Sequence, residues 1–287
     1  MTLKARLQRK PILLAPGIAD PLTALLAQQA GAEALYLSGA SIAYTRLGRP
    51  DIGLVSMSEV VETIQLVRDR VATPLIVDAD NGYGNALNVQ RTVRLFERAG
   101  ASAIQLEDQS YPKRCGHLQE KRLVSAQEMA GKIKAACDAR ADGGTLIIAR
   151  TDAVAVEGFD AAIKRAALYR DAGADVLFVE APGSTTQLTD IPRQLADDTP
   201  LMANMVEGGM TPMFNAETLQ EMGYALVIFP GGVVRAMAHA AAAFYATLMA
   251  DGSSDAFRNQ MFDFQGLNAA IGTPEMLALG KRYEGGA

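Results

Sequence analysis

The chain has 287 residues, 49% of them apolar, which is enough to bury one large core or two ordinary ones. Its 27 Lys and Arg face 32 Asp and Glu, and the net charge of −5 argues against nucleic acid or an anionic membrane as partner. Two cysteines cannot form a disulfide framework, and no signal peptide is recognisable, so we expect a cytoplasmic protein. The apolar stretch Ala240–Ala250 is shorter than the roughly 20 residues of a membrane span, so no membrane association is expected.

Short β-prone apolar runs alternate along the chain with stretches of helical spacing. There are eight such runs: Ile12–Ile18, Ala34–Leu37, Leu75–Asp78, Ala103–Leu106, Leu146–Ala149, Val176–Val179, Leu201–Ala203 and Leu226–Phe229. Strands joined by helical crossovers run parallel, and eight βα units predict a closed (β/α)₈ TIM barrel. The rival is a doubly wound open sheet, which more usually has five or six strands; no G-x-G-x-x-G follows the first run.

Local signals support these helices and their ends. Ser56 with Glu59 and Ser125 with Glu128 fit the capping box. The tripeptide AGA recurs three times between a helix and the next strand, where glycine suits a left-handed helix end. No linker interrupts the first 250 residues, so we predict a barrel domain over 1–250 and a helical extension over 251–287 that is not a separate domain.

Polar residues stand at seven of the eight predicted strand ends, which is the edge where such barrels build their active sites. They are Tyr36, Ser38, Gly39, Asp78, Asp80, Glu107, Asp108, Arg150, Asp152, Glu180, Asn204, Glu207 and Arg235. Strand ends also attract capping residues, so any one of them alone can be purely structural. Their concentration at one edge favours a catalytic site.

Asp78 and Asp80 lie two residues apart at a strand end, so their side chains are expected on one face. Two neighbouring carboxylates repel each other unless a cation joins them. A hard, oxygen-seeking ion such as Mg²⁺ fits, with Glu107 on one of its waters. The alternative is a pair of solvated turn carboxylates.

The connection from Asp108 to Val124 is long for a segment without its own secondary structure, and such segments often form active-site lids. It carries Cys115, flanked by Lys113, Arg114 and His117, and these neighbours predict a lowered thiol pKa and a role in proton transfer. An incidental loop thiol is the alternative. Gly116 would allow close approach of the backbone to a ligand.

Taken together, these segments resemble the isocitrate lyase/phosphoenolpyruvate mutase superfamily, nearest to its methylisocitrate lyase and 2,3-dimethylmalate-lyase-like branches. The resemblance runs from about Pro11 to Leu248. It rests on Tyr36–Gly39, Gly48–Asp51, Asp78–Gly84, Ile104–Gln109, Lys113–His117, Ala149–Ala153, Phe229–Pro230 and Arg235. The resemblance implies an α/β barrel whose eighth helix is exchanged between subunits, a homotetramer, and Mg²⁺-dependent cleavage of a C–C bond in a 2-hydroxy acid, with Mn²⁺ as a possible substitute.

The resemblance also assigns roles to individual residues. Catalysis would fall to Cys115 as proton donor, Tyr36 as a possible base, Lys113 and His117; substrate binding to Ser38, Gly39, Ala40, Gly116, Arg150, Glu180, Asn204 and Arg235; and the metal to Asp51, Asp78, Asp80 and Glu107. Arg150 and Arg235 would bind carboxylates as bidentate pairs. Phosphonate mutases carry an Asn-containing loop in place of Cys-Gly-His, so P–C chemistry is disfavoured.

Two departures bear on the substrate. Methylisocitrate lyases carry an Arg where the best alignment here places Phe264, and the segment 204–209 resembles the dimethylmalate-lyase-like branch more closely, although Met210 replaces its usual Lys. We therefore expect cleavage of a substituted malate to a 2-keto acid such as pyruvate plus a second carboxylic acid. Alternatives are methylisocitrate cleavage, oxaloacetate hydrolysis, and a non-catalytic protein that binds small di- or tricarboxylates.

Overall fold

A computed structural model of the chain describes residues 2–118, 120–195 and 199–284. Its eight strands close into a parallel barrel in sequence order, and β8 pairs with β1. They are β1 Leu13–Ile18, β2 Leu35–Leu37, β3 Leu75–Asp78, β4 Ala103–Glu107, β5 Leu146–Thr151, β6 Val176–Val179, β7 Leu201–Asn204 and β8 Leu226–Phe229. The predicted TIM barrel is confirmed, and each strand lies within two residues of its predicted bounds.

Helices surround the barrel and continue beyond it. They are α1 Leu3–Leu7, α2 Pro21–Gln29, α3 Gly39–Ile42, α4 Met57–Arg70, α5 Ala86–Ala99, α6 Ala126–Ala139, α7 Phe159–Asp171, α8 Thr185–Gln194, α9 Ala216–Met222, α10 Gly232–Asp251, α11 Phe264–Ala270 and α12 Thr273–Lys281. A π-helical turn, Ala43–Leu47, follows α3, and short 3₁₀ turns lie at Ala153–Ala155 and Asp255–Gln260.

Apolar side chains of the strands fill two layers. The outer face of the strands packs against the surrounding helices. On α4, for example, Val60, Ile64 and Val67 recur at helical spacing and are buried in this layer. The other face fills the barrel interior, where Leu13 and Phe178 are buried. Because both faces of the strands are buried, with the exception of Leu14 on β1, the sequence shows continuous apolar runs rather than alternation.

The helix ends follow the predicted signals with one exception. Ser56 and Glu59 cap α4 reciprocally, whereas Ser125 accepts a bond from the Glu128 amide without the return bond. The AGA glycines adopt left-handed φ angles of +93° at Gly31, +105° at Gly100 and +109° at Gly173. Glycine therefore marks these helix-to-strand turns for the expected reason.

The chain divides into two compact units, Met1–Val234 and Arg235–Ala287. The division falls inside α10 rather than at the polar turn near residue 250 where the sequence predicts it. Among the described residues, α10 is the one helix long and apolar enough to cross a membrane by length and composition, and only 6% of its apolar window is buried. The apolar run visible in the sequence, Ala240–Ala250, is shorter than this helix because Arg235 and His239 interrupt the apolar residues before it.

Candidate active site

Asp78 and Asp80 converge at the carboxyl end of β3. The Gly39 amide donates to Asp78 Oδ2 at 3.3 Å, and a Cβ placed on Gly39 would lie 3.3 Å from both Asp78 Oδ2 and Asp80 Oδ1. The strand ends at Asp78, and Asp80 has a φ of +47°. The two carboxylates therefore meet through a left-handed turn, not through the continuing strand that the sequence argument assumed.

Lys113 of the long loop lies between two of the predicted metal ligands. Its Nζ is 2.6 Å from Asp51 Oδ1 and 2.7 Å from Asp80 Oδ1, and all three side chains are buried. Although burial opposes its charge, Asp80 and Asp51 hold the pKa of Lys113 well above its usual range. Burial raises the pKa of Asp80 to about 7, with Lys113 opposing and Asp78 and Asp51 adding to the rise.

The donor set of this cluster fits a hard divalent cation. No three His, Cys, Asp or Glu side chains form a ready-made metal cluster in the described part of the chain. Asp51 and Asp80 nevertheless supply buried carboxylate oxygens around one position, where an ammonium is already held, and Asp78 Oδ2 lies close to Asp80 Oδ1 beside Gly39. Glu107 adds two buried oxygens that accept no hydrogen bond from the residues that the structure describes, although Oε2 lies 3.2 Å from Arg150 Nη1. These four residues would hold Mg²⁺.

Tyr36 lies inside the barrel beneath this cluster. Its hydroxyl donates to Gln105 Oε1 at 2.9 Å, and Gln105 Nε2 lies 3.3 Å from Asp78 Oδ1. Burial, with Asp78 next, raises the pKa of Tyr36 well above its usual range, so the phenol keeps its proton. This disfavours the predicted role as base, and the contacts instead make Tyr36 and Gln105 a support for Asp78.

The Asp108–Val124 loop is folded back on itself and lies over the site. Backbone bonds close its base, from Ser110 N to Arg122 O at 2.8 Å and from Val124 N to Asp108 O at 2.9 Å. Near its tip, the Cys115 amide donates to Asp51 O at 3.1 Å. A Cβ on Gly116 would lie 2.4 Å from Arg150 Nη2 and 2.7 Å from Glu180 Cγ, so only glycine allows this approach.

The predicted lowering of the Cys115 pKa is wrong. Burial raises the pKa of the thiol, and the bond from the His117 backbone opposes this only in part. The neighbouring cations are engaged elsewhere: Lys113 binds Asp51 and Asp80, and Arg114 binds Glu120 at 2.9 Å. Sequence proximity of cations thus did not predict their proximity to sulfur, and Cys115 is a protonated thiol.

His117 connects the loop tip to two other strand ends. Its Nδ1 accepts a bond from the Met210 amide at 3.0 Å, so its proton lies on Nε2, which is 3.0 Å from Glu180 Oε1. Asn204 Nδ2 donates to the same carboxylate at 3.1 and 3.3 Å. Although burial opposes ionisation, Arg150 and His117 hold the pKa of Glu180 below its usual value, so it stays ionised.

Arg150 already has a bidentate partner within the protein. Its Nε and Nη2 donate to Asp152 at 2.9 and 3.0 Å, and its Nη1 lies 3.2 Å from Glu107 Oε2. Lys121 Nζ binds Asp152 at 3.0 Å and also contacts Gly116 O. The predicted bidentate contact of Arg150 with substrate would therefore require it to exchange partners.

The structure brings most of the predicted site residues together at the carboxyl-terminal mouth of the barrel and adds two residues that the sequence did not predict. Ser38 caps α3 with Gly39 and Ala40 in its first turn, while Arg235 lies in α10 and belongs to the second unit, as does Phe264 in α11. The added residues are Gln105 and Lys121. A polar residue inside an apolar strand could have revealed Gln105; nothing in the sequence distinguishes Lys121 from a surface lysine.

A closed parallel barrel with carboxylates, a loop thiol and an Arg–Glu pair at the carboxyl ends of its strands defines a barrel enzyme for small polar substrates. The family model described as phosphoenolpyruvate phosphomutase matches residues 3–249. The chain belongs to this family, within the phosphoenolpyruvate mutase/isocitrate lyase superfamily, and is a carbon–carbon lyase of it.

Several relatives are similar over nearly their full length. The 2-methylisocitrate lyase of Aeropyrum pernix is 45% identical over 91% of this chain and 83% of its own, and the 2,3-dimethylmalate lyase of Eubacterium barkeri is 38% identical over 98% and 96%. Among solved structures, oxaloacetate acetylhydrolase with 3,3-difluorooxalacetate superposes with a TM-score of 0.93 at 31% identity, covering 100% of this chain and 97% of that one. A 2,3-dimethylmalate lyase structure has a TM-score of 0.92 at 34% identity, covering 99% and 95%.

Proposed function

We propose that the protein is an Mg²⁺-dependent lyase that splits a 2-hydroxy dicarboxylate of the substituted malate type into a 2-keto acid such as pyruvate and a second carboxylic acid. One observation carries this proposal: the carboxylate cluster and the Cys115 loop meet at the same mouth, joined through Lys113 and the Cys115 amide on Asp51. Cleavage of the C–C bond beside a hydroxyl-bearing carbon needs a cation to polarise the hydroxyl and an acid to protonate the departing carbon, and this mouth places both groups close together.

The residues of the chain divide the work. Asp78, fixed by the Gly39 amide and Gln105, orients the hydroxy-acid end of the substrate. As the C–C bond breaks, the hydroxyl gives up its proton to solvent and its O–H electron pair forms the carbonyl bond of the 2-keto acid. The electron pair of the broken bond goes to the departing carbon, which takes a proton from Cys115 Sγ; the raised pKa of the thiol keeps that proton available, and the thiolate regains a proton from solvent. Bound Mg²⁺ would polarise the hydroxyl and the adjacent carboxylate.

A panel of 2-hydroxy acids, assayed for 2-keto acid release with and without Mg²⁺, tests this function. We expect turnover that EDTA abolishes reversibly, and a higher Mg²⁺ requirement in Asp78→Ala, which loses a carboxylate of the cluster. Full activity in metal-free buffer would remove the metal from the mechanism. Binding of a dicarboxylate without release of any keto acid would favour the non-catalytic protein.

The preference for a substituted malate over methylisocitrate rests on Phe264, aligned where methylisocitrate lyases carry Arg. A buried carboxylate without a cation is costly, so a third carboxylate should be rejected and an alkyl group accepted. We expect kcat/KM for a 2,3-dialkylmalate to exceed that for methylisocitrate at least about tenfold, or roughly 1.4 kcal/mol, and Phe264→Arg to narrow the gap. A wild-type preference for methylisocitrate, which the relative at 45% identity favours, would assign that reaction instead.

Oxaloacetate hydrolysis is the second candidate. It is favoured by the similarity to oxaloacetate acetylhydrolase over the whole chain. Release of oxalate and acetate from oxaloacetate, with no cleavage of any 2-hydroxy acid in the panel, would establish it in place of the lyase.

We also propose that the protein is a homotetramer in which α10 packs on a second copy. The helix and those that follow expose large apolar side chains, including Tyr245 at 62% and Met249 at 82%. In the first unit, Leu14 of β1 is 42% exposed, whereas both its neighbours in the strand, Leu13 and Ala15, are buried. Monomers rarely expose apolar surface on this scale, and a second copy of the chain is the partner that we propose for it.

A further inference from the structure

We propose that the Lys113 ammonium holds the cation position between Asp51 and Asp80, and that divalent metal binding displaces it and thereby releases the Cys115 loop from its closed position. The inference deepens the proposed function and rests on its metal dependence. It makes Lys113 a positioning residue that orders metal loading before substrate entry.

The Lys113 ammonium and a divalent metal ion would compete for the same carboxylate oxygens. Lys113 Nζ is within 2.7 Å of one carboxylate oxygen from each of Asp51 and Asp80, and only 3% of the surface of Lys113 is exposed to solvent. A hard cation that takes both oxygens as ligands needs the place that Nζ fills. The ammonium and a metal ion bound directly to both oxygens would need the same position, so one of them has to leave.

Lys113 connects the cation position between Asp51 and Asp80 to the Cys115 loop. Lys113 lies two residues before Cys115, and Asp51 binds the loop twice, through its carboxylate to Lys113 and through its backbone oxygen to the Cys115 amide. Gly53 packs against the backbone of Lys113 as well, since a Cβ there would lie 3.4 Å from its amide nitrogen. Moving Nζ away from Asp51 and Asp80 therefore removes one anchor of the closed loop.

The Cys115 amide keeps its bond to Asp51 O, and two further anchors lie on the other side of the loop tip. Lys121 binds Asp152 at 3.0 Å, and His117 lies 3.0 Å from Glu180. These contacts do not involve the carboxylates of the proposed metal site. Loss of the Lys113 anchor is thus expected to loosen the residues around Cys115 while the base of the loop stays folded.

Direct titration of Mn²⁺ in the absence of substrate, followed by the electron paramagnetic resonance signal of free Mn²⁺, tests the competition. We expect Lys113→Met to bind Mn²⁺ at least about tenfold more tightly than the wild type. Arg114→Gln is the matched control, because it removes the same charge from the next residue, whose side chain binds Glu120. It should bind within about twofold of the wild type.

Alkylation of Cys115 tests the release of the loop. Iodoacetamide labelling, quantified by peptide mass spectrometry with Cys137 as internal reference, should accelerate several-fold in the wild type when Mg²⁺ is added without substrate. Lys113→Met should label rapidly with or without Mg²⁺, because its anchor is already gone. Lys113→Gln replaces it in both experiments if the Met variant does not fold.

The outcomes separate this inference from the proposed function. Equal or weaker Mn²⁺ binding by both Lys113 variants, with Mg²⁺-dependent turnover in the wild type, would overturn the inference alone. Labelling of wild-type Cys115 that Mg²⁺ slows or leaves unchanged would overturn the release of the loop. An absence of Mn²⁺ binding in every variant, together with turnover that resists EDTA, would overturn both.

Discussion

Cys115 lies near the tip of the folded loop, and burial raises the pKa of its thiol, which determines what its replacement should do. We expect Cys115→Ser to abolish turnover and to retain substrate binding, because a serine hydroxyl is a far weaker acid at the same place. Steady-state kinetics and calorimetric titration of substrate measure the two effects. Near-normal kcat in the Ser variant would exclude Cys115 as the proton donor.

Asp152 joins Arg150 to Lys121 behind the site, and these cations hold its pKa at about 2 against the opposing effect of burial. The ordinary pKa of an aspartate is 3.8, so near neutral pH the Asp152 carboxylate is ionised in both the folded and the unfolded chain. Its ion pairs then make their full contribution to the free energy of unfolding. As pH falls through 3.8 toward 2, only the unfolded chain takes up the proton, and the contribution is lost.

Asp152→Asn should therefore destabilise the protein by about 3–5 kcal/mol at pH 6, because it removes the carboxylate that two buried cations share. Arg150 keeps Glu107 as a partner, but Lys121 keeps only the Gly116 carbonyl. Urea unfolding at pH 6, 4 and 3 should show the gap to the wild type narrowing as pH falls. Asp171→Asn, at an exposed ion pair with Arg170, is the control and should show little effect at any pH. A gap that stays constant with pH would contradict this assignment.

At the scale of elements, the closed loop depends on the absence of a side chain at Gly116. A methyl group there would lie 2.4 Å from Arg150 Nη2, so Gly116→Ala should hold the loop open. We expect kcat/KM to fall at least about 100-fold, near 2.7 kcal/mol, from misplacement of Cys115. Trypsin should also cleave faster after Lys113 and Arg114.

Gly131→Ala is the matched control for this prediction. Gly131 lies in the interior of α6, and a Cβ there meets no atom within 4 Å. Its replacement should stabilise the helix by roughly 0.5–1 kcal/mol and leave kcat/KM unchanged. Equal kinetics in the two variants would show that the loop closes in a different way from the one described.

Strand positions were predictable because the strands are largely buried on both faces, which gives each of them a continuous apolar run. Glycine at the AGA turns was predictable for a similar local reason, the sign of φ. The protonation states of Cys115 and Tyr36 were not, because they depend on burial and on partners distant in sequence, such as Gln105 for Tyr36. The ion pair of Lys113 with Asp51 was likewise unpredictable, because the two residues are distant in sequence and no local sequence pattern links them.

At the scale of the whole molecule, the apolar surface of α10 predicts a concentration-dependent assembly. Met249→Glu places a charge where a second copy would pack, so we expect it to shift a tetramer toward smaller species in light scattering coupled to size exclusion. Arg258→Glu, which alters an exposed ion pair with Asp255, serves as the charge-change control. A monomeric wild type that partitions to lipid vesicles would instead favour the membrane for this helix.

The pairing of β1 with β8 has a consequence for how the protein is made. Leu13 and Leu226 become neighbours only when nearly the whole barrel has been synthesised, and a Cβ on Gly17 would lie 2.1 Å from Pro230 O, so this seam admits no bulk. Contacts so distant in sequence form slowly. Until the seam closes, β1 and β8 each present an unpaired strand edge. We therefore expect these two edges to be the segments most exposed to aggregation while the barrel is forming.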